Sequence, residues 1–267
     1  MTHSFAQEIF WAVHRDLPRE APGSDEATRQ ALAMLPDLPP APRILDVGCG
    51  PGAQTVVLAR ASGGMITAVD NHQPFLDDLT RRAARAGLSE RIRPLNASMF
   101  DLDFAEPFDL IWSEGAIYII GFERGLREWR RLLKPGGFVA VTDLTWLKPN
   151  PPAEAAAFWR MEYPEMATIE ENLARLTAAG YRALGHFVLP ESAWWDNYYH
   201  PIAARITALR EQYGDNTEAQ RVLDAEQAEI ELYRHYSAWY GYVFYLVTPI
   251  VPGHSPRATL LPLNTTK

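Results

Sequence analysis

The sequence is short of the features that mark several protein classes. Its single cysteine, Cys49, excludes an internal disulfide and matches the usage of a reducing compartment, so a cytoplasmic location is expected. No apolar run approaches the ~20 residues that span a bilayer, and no secretory leader pattern opens the chain, so no membrane association is expected. Cations are in deficit: 25 Lys and Arg against 33 Asp and Glu leave a formal charge of -8. That balance argues against a surface made for nucleic-acid phosphates and favours small-molecule chemistry. The seven histidines avoid HxxxH and HExxH spacing, and one thiol cannot build a thiolate site, so no metal is expected. A GxSxG elbow, a P-loop, internal repeats and low-complexity tracts are missing as well.

What is present is a 267-residue chain with 47% hydrophobic residues, enough for one larger α/β domain or a core with a cap. Its organising stretch is Arg43 to Leu58, RILDVGCGPGAQTVVL. A short apolar run (Ile44, Leu45, Val47) leads into a turn rich in glycine (Gly48, Gly50, Gly52), then into residues suited to a helix. Glycine removes the Cβ that would hold a ligand away from the backbone, and Pro51 suits a helix start. The pattern Gly48-x-Gly50-x-x-Ala53 also satisfies the dinucleotide fingerprint, so by itself it does not separate NAD from other adenosine ligands. Asp46 ends the strand, and its carboxylate is expected to face the turn. There it would repel a pyrophosphate and attract an ammonium or a sulfonium.

The stretch LDVGCGPG resembles the first motif of the class I S-adenosylmethionine-dependent methyltransferases. The resemblance extends by motif over residues 43 to 143 and by strand order to about 250, with similarity to the ubiquinone and menaquinone biosynthesis branch, type 11. It implies a three-layer, Rossmann-like, doubly wound sheet of seven strands, mostly parallel with the last antiparallel, and a helical cap. S-adenosylmethionine is the implied cofactor. The implied reaction is in-line methyl transfer to an oxygen or nitrogen of a small-molecule acceptor. Three alternatives stay open: an NAD-dependent oxidoreductase, a methyltransferase acting on a macromolecule, and a non-catalytic module that binds the cofactor.

Further along, Met65 to Val69 reads as the second strand, and Asp70 follows it close to the ~20-residue offset at which an acid meets a ribose. One carboxylate can accept from both ribose hydroxyls, the role the family gives an acid here. Cys49, Gln54 and Asn71 are expected beside it. A third strand, Ile92 to Leu95, leads to Ser98 and Met99, expected at the adenine, although Ser98 stands where family members often carry an acid. The fourth strand, Phe108 to Trp112, would place Ser113 and Glu114 over the pocket, since ligands in open α/β sheets bind beyond the strand ends. Glu114 is expected to hold a cationic or amine substrate or to accept a proton. Tyr118, His200 and, if the N-terminal helix closes over the site, His14 are the other candidate bases.

Gly125 to Leu133 predicts a helix, and Leu133 to Gly137, LKPGG, a turn into a fifth strand, Phe138 to Thr142. The LKPGG turn resembles the one before the fifth strand in many class I methyltransferases. Tyr181 to Val188 and Tyr240 to Thr248 read as the last two strands. Residues 1–42 are expected to form a helical lid whose Ser24 caps a helix able to receive a ligand carboxylate. The core would span 43–250 with a cap insertion at about 190–239, and 251–267 would be a flexible tail. Trp146, Trp195, Tyr198 and Tyr199 are the candidate acceptor-binding aromatics.

Overall fold

The computed structural model describes residues 4–250. The tail expected for 251–267 lies outside them. Two short helices, α1 (Phe5–Val13) and α2 (Asp25–Ala33), precede β1 (Arg43–Val47), α3 (Ala53–Ser62), β2 (Met65–Asp70), α4 (Gln73–Arg85) and β3 (Ile92–Asn96). There follow β4 (Phe108–Ser113), α5 (Ile117–Ile120), α6 (Phe122–Trp129) and β5 (Leu133–Trp146). The rest comprises α7 (Ala153–Glu162), β6 (Ala167–Thr168), α8 (Ile169–Ala178), β7 (Tyr181–Val188), α9 (Glu191–Trp194), α10 (His200–Tyr213), α11 (Thr217–Tyr236) and β8 (Tyr240–Pro249).

Seven strands lie in the order β3-β2-β1-β4-β5-β8-β7, with the two-residue β6 beside the end of β5. The first five are parallel, and β8 runs antiparallel to both neighbours, β5 and β7. This is the expected doubly wound sheet. Its central strands read as nearly continuous apolar runs because both faces are covered. Alternate residues serve separate cores. Ile44, Leu110, Trp112, Ala140 and Phe244 pack on one face with α1 to α4 and the cap, while Leu45, Ile111, Val141 and Tyr245 pack on the other with α5, α6 and α8.

Two boundaries differ from the sequence reading. The LKPGG segment belongs to β5: Leu133 pairs with Phe108, the register breaks between Phe108 and Leu110, and Gly136 takes φ +78° to absorb the irregularity. The strand continues to Trp146 because β8 pairs with it as far as Trp146 opposite Tyr240. The helix expected from Gly125 starts earlier, at Phe122 after Gly121, and a 3-10 turn occupies Arg130–Leu132.

The chain reverses direction in strand order between β1 and β4, so a crevice opens beyond their carboxyl ends. The N-terminal segment and the insertion between β7 and β8 roof it. Helix α1 packs on α10 and α11, which belong to the insertion between β7 and β8. The segment after α1 is tied down by Arg82 of α4, whose guanidinium donates to the carbonyls of Leu17 and Pro18 at 2.9 Å each.

Candidate active site

A cavity of about 460 Å³ fills this crevice. Its floor is the turn after β1. The amides of Gly48 and Cys49 both donate to the Val69 carbonyl at 2.9 Å, which folds the turn onto β2. Gly48 stands at φ +70°, and a Cβ there would lie 2.3 Å from the Ala116 Cβ, so glycine is required. The Gly50 amide donates to Asp70 Oδ2 at 2.9 Å, and the His72 amide donates to Asp70 Oδ1 at 2.9 Å. Asp70 is thereby fixed at the rim with one bond on each oxygen, leaving lone pairs for further donors. Gln54 donates to the Cys49 carbonyl at 2.9 Å and lines the floor. Asn71, Ser98 and Met99 line the cavity with Asp70, so these expected neighbours are brought together.

Asp46 does not face the cavity. It pairs in register with Ala68 and Trp112 in mid-sheet and is fully buried beneath the turn. Its Oδ2 accepts from Thr55 at 2.6 Å and more weakly from Gln54 at 3.4 Å, while Oδ1 has no partner. Burial raises its pKa to about 7 despite the Thr55 bond. Cys49 is also buried, and burial with the nearby Asp46 and Asp70 charges pushes its thiol well above the ordinary range, which leaves it an inert packing group.

Glu114 corrects the expectation of a free acid. It borders the cavity, yet its Oε1 accepts from Thr28 at 2.7 Å and Trp112 Nε1 at 2.9 Å, and its Oε2 accepts from Arg19 at 3.1 Å. Burial raises its pKa, opposed by the Arg19 charge. The carboxylate is the anchor of the N-terminal segment. Ser113 is buried and donates to the Val47 carbonyl, outside the cavity lining.

His14 does border the cavity. Burial lowers its pKa, but hydrogen bonds and charges from Glu20 (2.8 Å) and Glu226 (3.5 Å) outweigh that and raise it to about 9. It is therefore an imidazolium at neutral pH and cannot serve as a general base. His200 is exposed, paired loosely with Asp196 at 4.0 Å, and lies off the cavity. Ser24 caps α2 through the Ala27 amide, and its helix packs on α3 away from the lining.

An inner chamber of about 160 Å³ continues the cavity beneath the cap. The two share Glu20, Gly115, Tyr118, Glu162, Tyr198 and Glu229, and Leu144, Trp159, Tyr163, Trp194 and Tyr242 close the far side. Tyr163 is held there by Asp143, which accepts its hydroxyl at 3.0 Å. Of the expected aromatics only Tyr198 reaches either space. Tyr199 is buried with its hydroxyl on Glu229 at 2.9 Å, Trp195 packs on Tyr233 under Arg234, and Trp146 packs edge-on to Tyr240. Tyr199 and Trp195 belong to the cap's own packing, and Trp146 to the paired ends of β5 and β8.

Sequence reasoning missed Trp11, which stacks on His72 at 3.9 Å, and the acids Glu226 and Glu229. The acids carried a signal: with Tyr233 they recur at helical spacing along one side of α11, a polar pair followed one turn later by a buried aromatic.

Comparison with known proteins places this architecture. The methyltransferase domain family matches residues 44–137. A methyltransferase from Geobacter sulfurreducens, solved in complex with S-adenosyl-L-homocysteine, superposes with a TM-score of 0.78 at 21% identity, covering 91% of this chain and 98% of its own. The fold and the matched domain are those of the class I S-adenosylmethionine-dependent methyltransferases. Among curated methyltransferases, the 27-O-demethylrifamycin SV methyltransferase of Amycolatopsis mediterranei is 28% identical over 219 residues, 78% of this chain and 75% of that protein. The sterol 24-C-methyltransferase erg-4 of Neurospora crassa is 28% identical over 179 residues, 63% of this chain and 47% of that protein. The chain thus spans three quarters of one of these curated methyltransferases and about half of the other. The dinucleotide reading of the glycine turn gives way to the methyltransferase one. No helix among the described residues is long and apolar enough to cross a membrane, and no group of metal-ligating side chains occurs among them.

Proposed function

We propose that this chain transfers a methyl group from S-adenosylmethionine to an oxygen or nitrogen of a small molecule in the cytoplasm. The observation that carries the reading is the pairing of two connected spaces. One is built on the glycine turn and Asp70, and the other is closed by the cap.

The residues of the outer cavity fit an adenosine-bearing sulfonium ligand. Asp70 keeps acceptor capacity for two ribose hydroxyls, Gly50 at φ +52° turns its amide onto that carboxylate, and Ser98 with Met99 offers a hydroxyl and a soft face for adenine. When bound, the cofactor supplies a methyl already activated by its sulfonium, so positioning and exclusion of water are what the protein must add. The N-terminal segment does the excluding. Phe10, Trp11 and residues 19–22 roof the outer cavity, held by the Glu114–Arg19 pair. Of the four candidate bases, Tyr118 alone borders both spaces, and burial raises its pKa, so it can orient an acceptor as a hydroxyl rather than take its proton.

Calorimetry with S-adenosylmethionine, S-adenosylhomocysteine and NAD tests the cofactor, and methyl-labelled cofactor with metabolite extract tests the transfer. Binding of both sulfur ligands and label in a low-mass product are expected. Tight NAD binding with no response to the other two would overturn the reading. Cofactor binding with no label in any extract would move weight to a non-catalytic module.

A further inference from the structure

Resting on the methyltransferase reading, we propose that the acceptor is a small amine with an apolar body, taken up as its ammonium ion in the inner chamber, and that Glu229 receives the proton the nitrogen sheds before transfer.

The first ground is the sign of the charge. Glu20, Glu162 and Glu229 border the inner chamber, and among its described lining residues there is no lysine or arginine. The nearest cations in the outer cavity are committed: His14 to Glu20 and Glu226, Arg19 to Glu114 and Asp25. A carboxylate or phosphate acceptor would enter without a counterion, at high desolvation cost. An ammonium would be compensated by several acids.

The second ground is the wall. Trp159, Tyr163, Trp194 and Tyr242 enclose the far side, the kind of aromatic surface that attracts a cation through the ring faces and accepts an apolar body. The third is an idle hydroxyl. Tyr242 is 8% exposed, its phenol makes no hydrogen bond among the described residues, and its oxygen lies 4.0 Å from where a Cβ on Gly115 would stand, at the junction of the two spaces. Glu20 Oε1 is likewise buried without a partner. These groups await a donor, and an ammonium carries up to three.

Glu229 is the acid suited to the proton. Its Oε1 accepts from Tyr199 at 2.9 Å, leaving the second oxygen for the chamber. Burial and the neighbouring Glu226 and Glu162 raise its pKa, while the Tyr199 bond and the His14 charge oppose them, and the balance stands at about 7. An acid so placed takes a proton from the ammonium and returns it to solvent near neutrality. The balance is simple. The ammonium gives one proton to Glu229, its lone pair forms the new N–C bond, and the S–C bonding pair remains on sulfur. The positive charge passes from sulfur to a nitrogen that the acids already surround.

The test uses the full chain saturated with S-adenosylhomocysteine and a matched series titrated by calorimetry: phenethylamine, 2-phenylethanol and 3-phenylpropanoate, with cyclohexylamine and cyclohexanol as a second pair. Amines should bind at least about tenfold more tightly than the matched alcohols, and the carboxylate should not bind. Glu229→Gln should weaken amine binding about tenfold or more, and Tyr242→Phe several-fold, with thermal midpoints confirming that both variants are folded. Labelled-methyl assays should then find the product among the amines. Alcohols binding as well as amines, no amine binding at all, or Glu229→Gln leaving amine affinity unchanged would each overturn the inference. Failure of S-adenosylhomocysteine to bind the unaltered chain would instead remove the reading beneath it.

Discussion

Neutralising Glu114 should loosen the roof of the site before it touches the chemistry. Its carboxylate and the Arg19 guanidinium are 4% and 6% exposed at 3.1 Å, and Thr28 and Trp112 donate to the same carboxylate. Breaking a buried pair by removing one partner costs about 3–5 kcal/mol, because the other charge remains buried. Glu114→Gln keeps an acceptor oxygen for Thr28 or Trp112 and leaves Arg19 its half-exposed partner Asp25, so the lower end applies, about 3 kcal/mol. Glu114→Ala also strands two donors and should lie near the upper end. At about 2–4 °C per kcal/mol for a chain of this size, Glu114→Gln lowers the melting midpoint by about 6–12 °C. Arg19→Met relieves the uncompensated cation, so the double variant should recover about 2 kcal/mol relative to the sum of the singles. Urea unfolding measures the cycle, and limited trypsin digestion after Arg15 and Arg19 reports release of the segment. A Glu114→Gln loss below about 1 kcal/mol with additive singles would refute the anchoring argument. A collapse of turnover at unchanged stability would return Glu114 to the part of a base.

Other expectations follow from the same geometry. Asp70→Ala should weaken S-adenosylhomocysteine binding by about 1–3 kcal/mol in calorimetry, since ribose hydroxyls would lose their acceptor; unchanged affinity would sink that role. His14, raised from 6.5 to about 9, contributes stability that is full below about pH 6.5 and drains away as pH rises through about 9, in total roughly 3 kcal/mol. Denaturation at pH 6 and pH 9.5 should show that slope, and His14→Gln should flatten it. Trp194→Ala removes a ring stacked on Tyr233 at 4.1 Å and should cost about 3–5 kcal/mol by chemical denaturation, a smaller loss meaning that the cap collapses into the void.

The parts of the molecule legible in the sequence are those whose partners are close in the chain. The strands β1 to β4 announce themselves as apolar runs bounded by turns, and Asp70 sits 20 residues from the amide of Gly50 that it holds, within one βαβ unit. For Asp46, strand position alone does not say which side of the turn the carboxylate reaches. Thr55, on the following helix, draws it underneath. Glu114 was placed rightly at the pocket and wrongly as free, because Arg19 and Thr28 lie 95 and 86 residues away. The candidate aromatics Trp195, Tyr198 and Tyr199 are adjacent in the chain, but a helix turns most of its rings away from any one face, and between Trp194 and Tyr199 only Trp194 and Tyr198 border a cavity. The inner chamber draws on α7, α9, α11 and β8 at once, a convergence that no local pattern records.

The position of β8 sets an order on assembly during synthesis. It lies between β5 and β7, so β7 has no sheet partner until Tyr240–Pro249 leaves the ribosome. Helix α1 waits as well, since the helices it packs against, α10 and α11, are made just before β8. A nascent chain therefore holds a nearly complete nucleotide half while its acceptor half is still open. The protein cannot close on a ligand until α10, α11 and β8 have all been made.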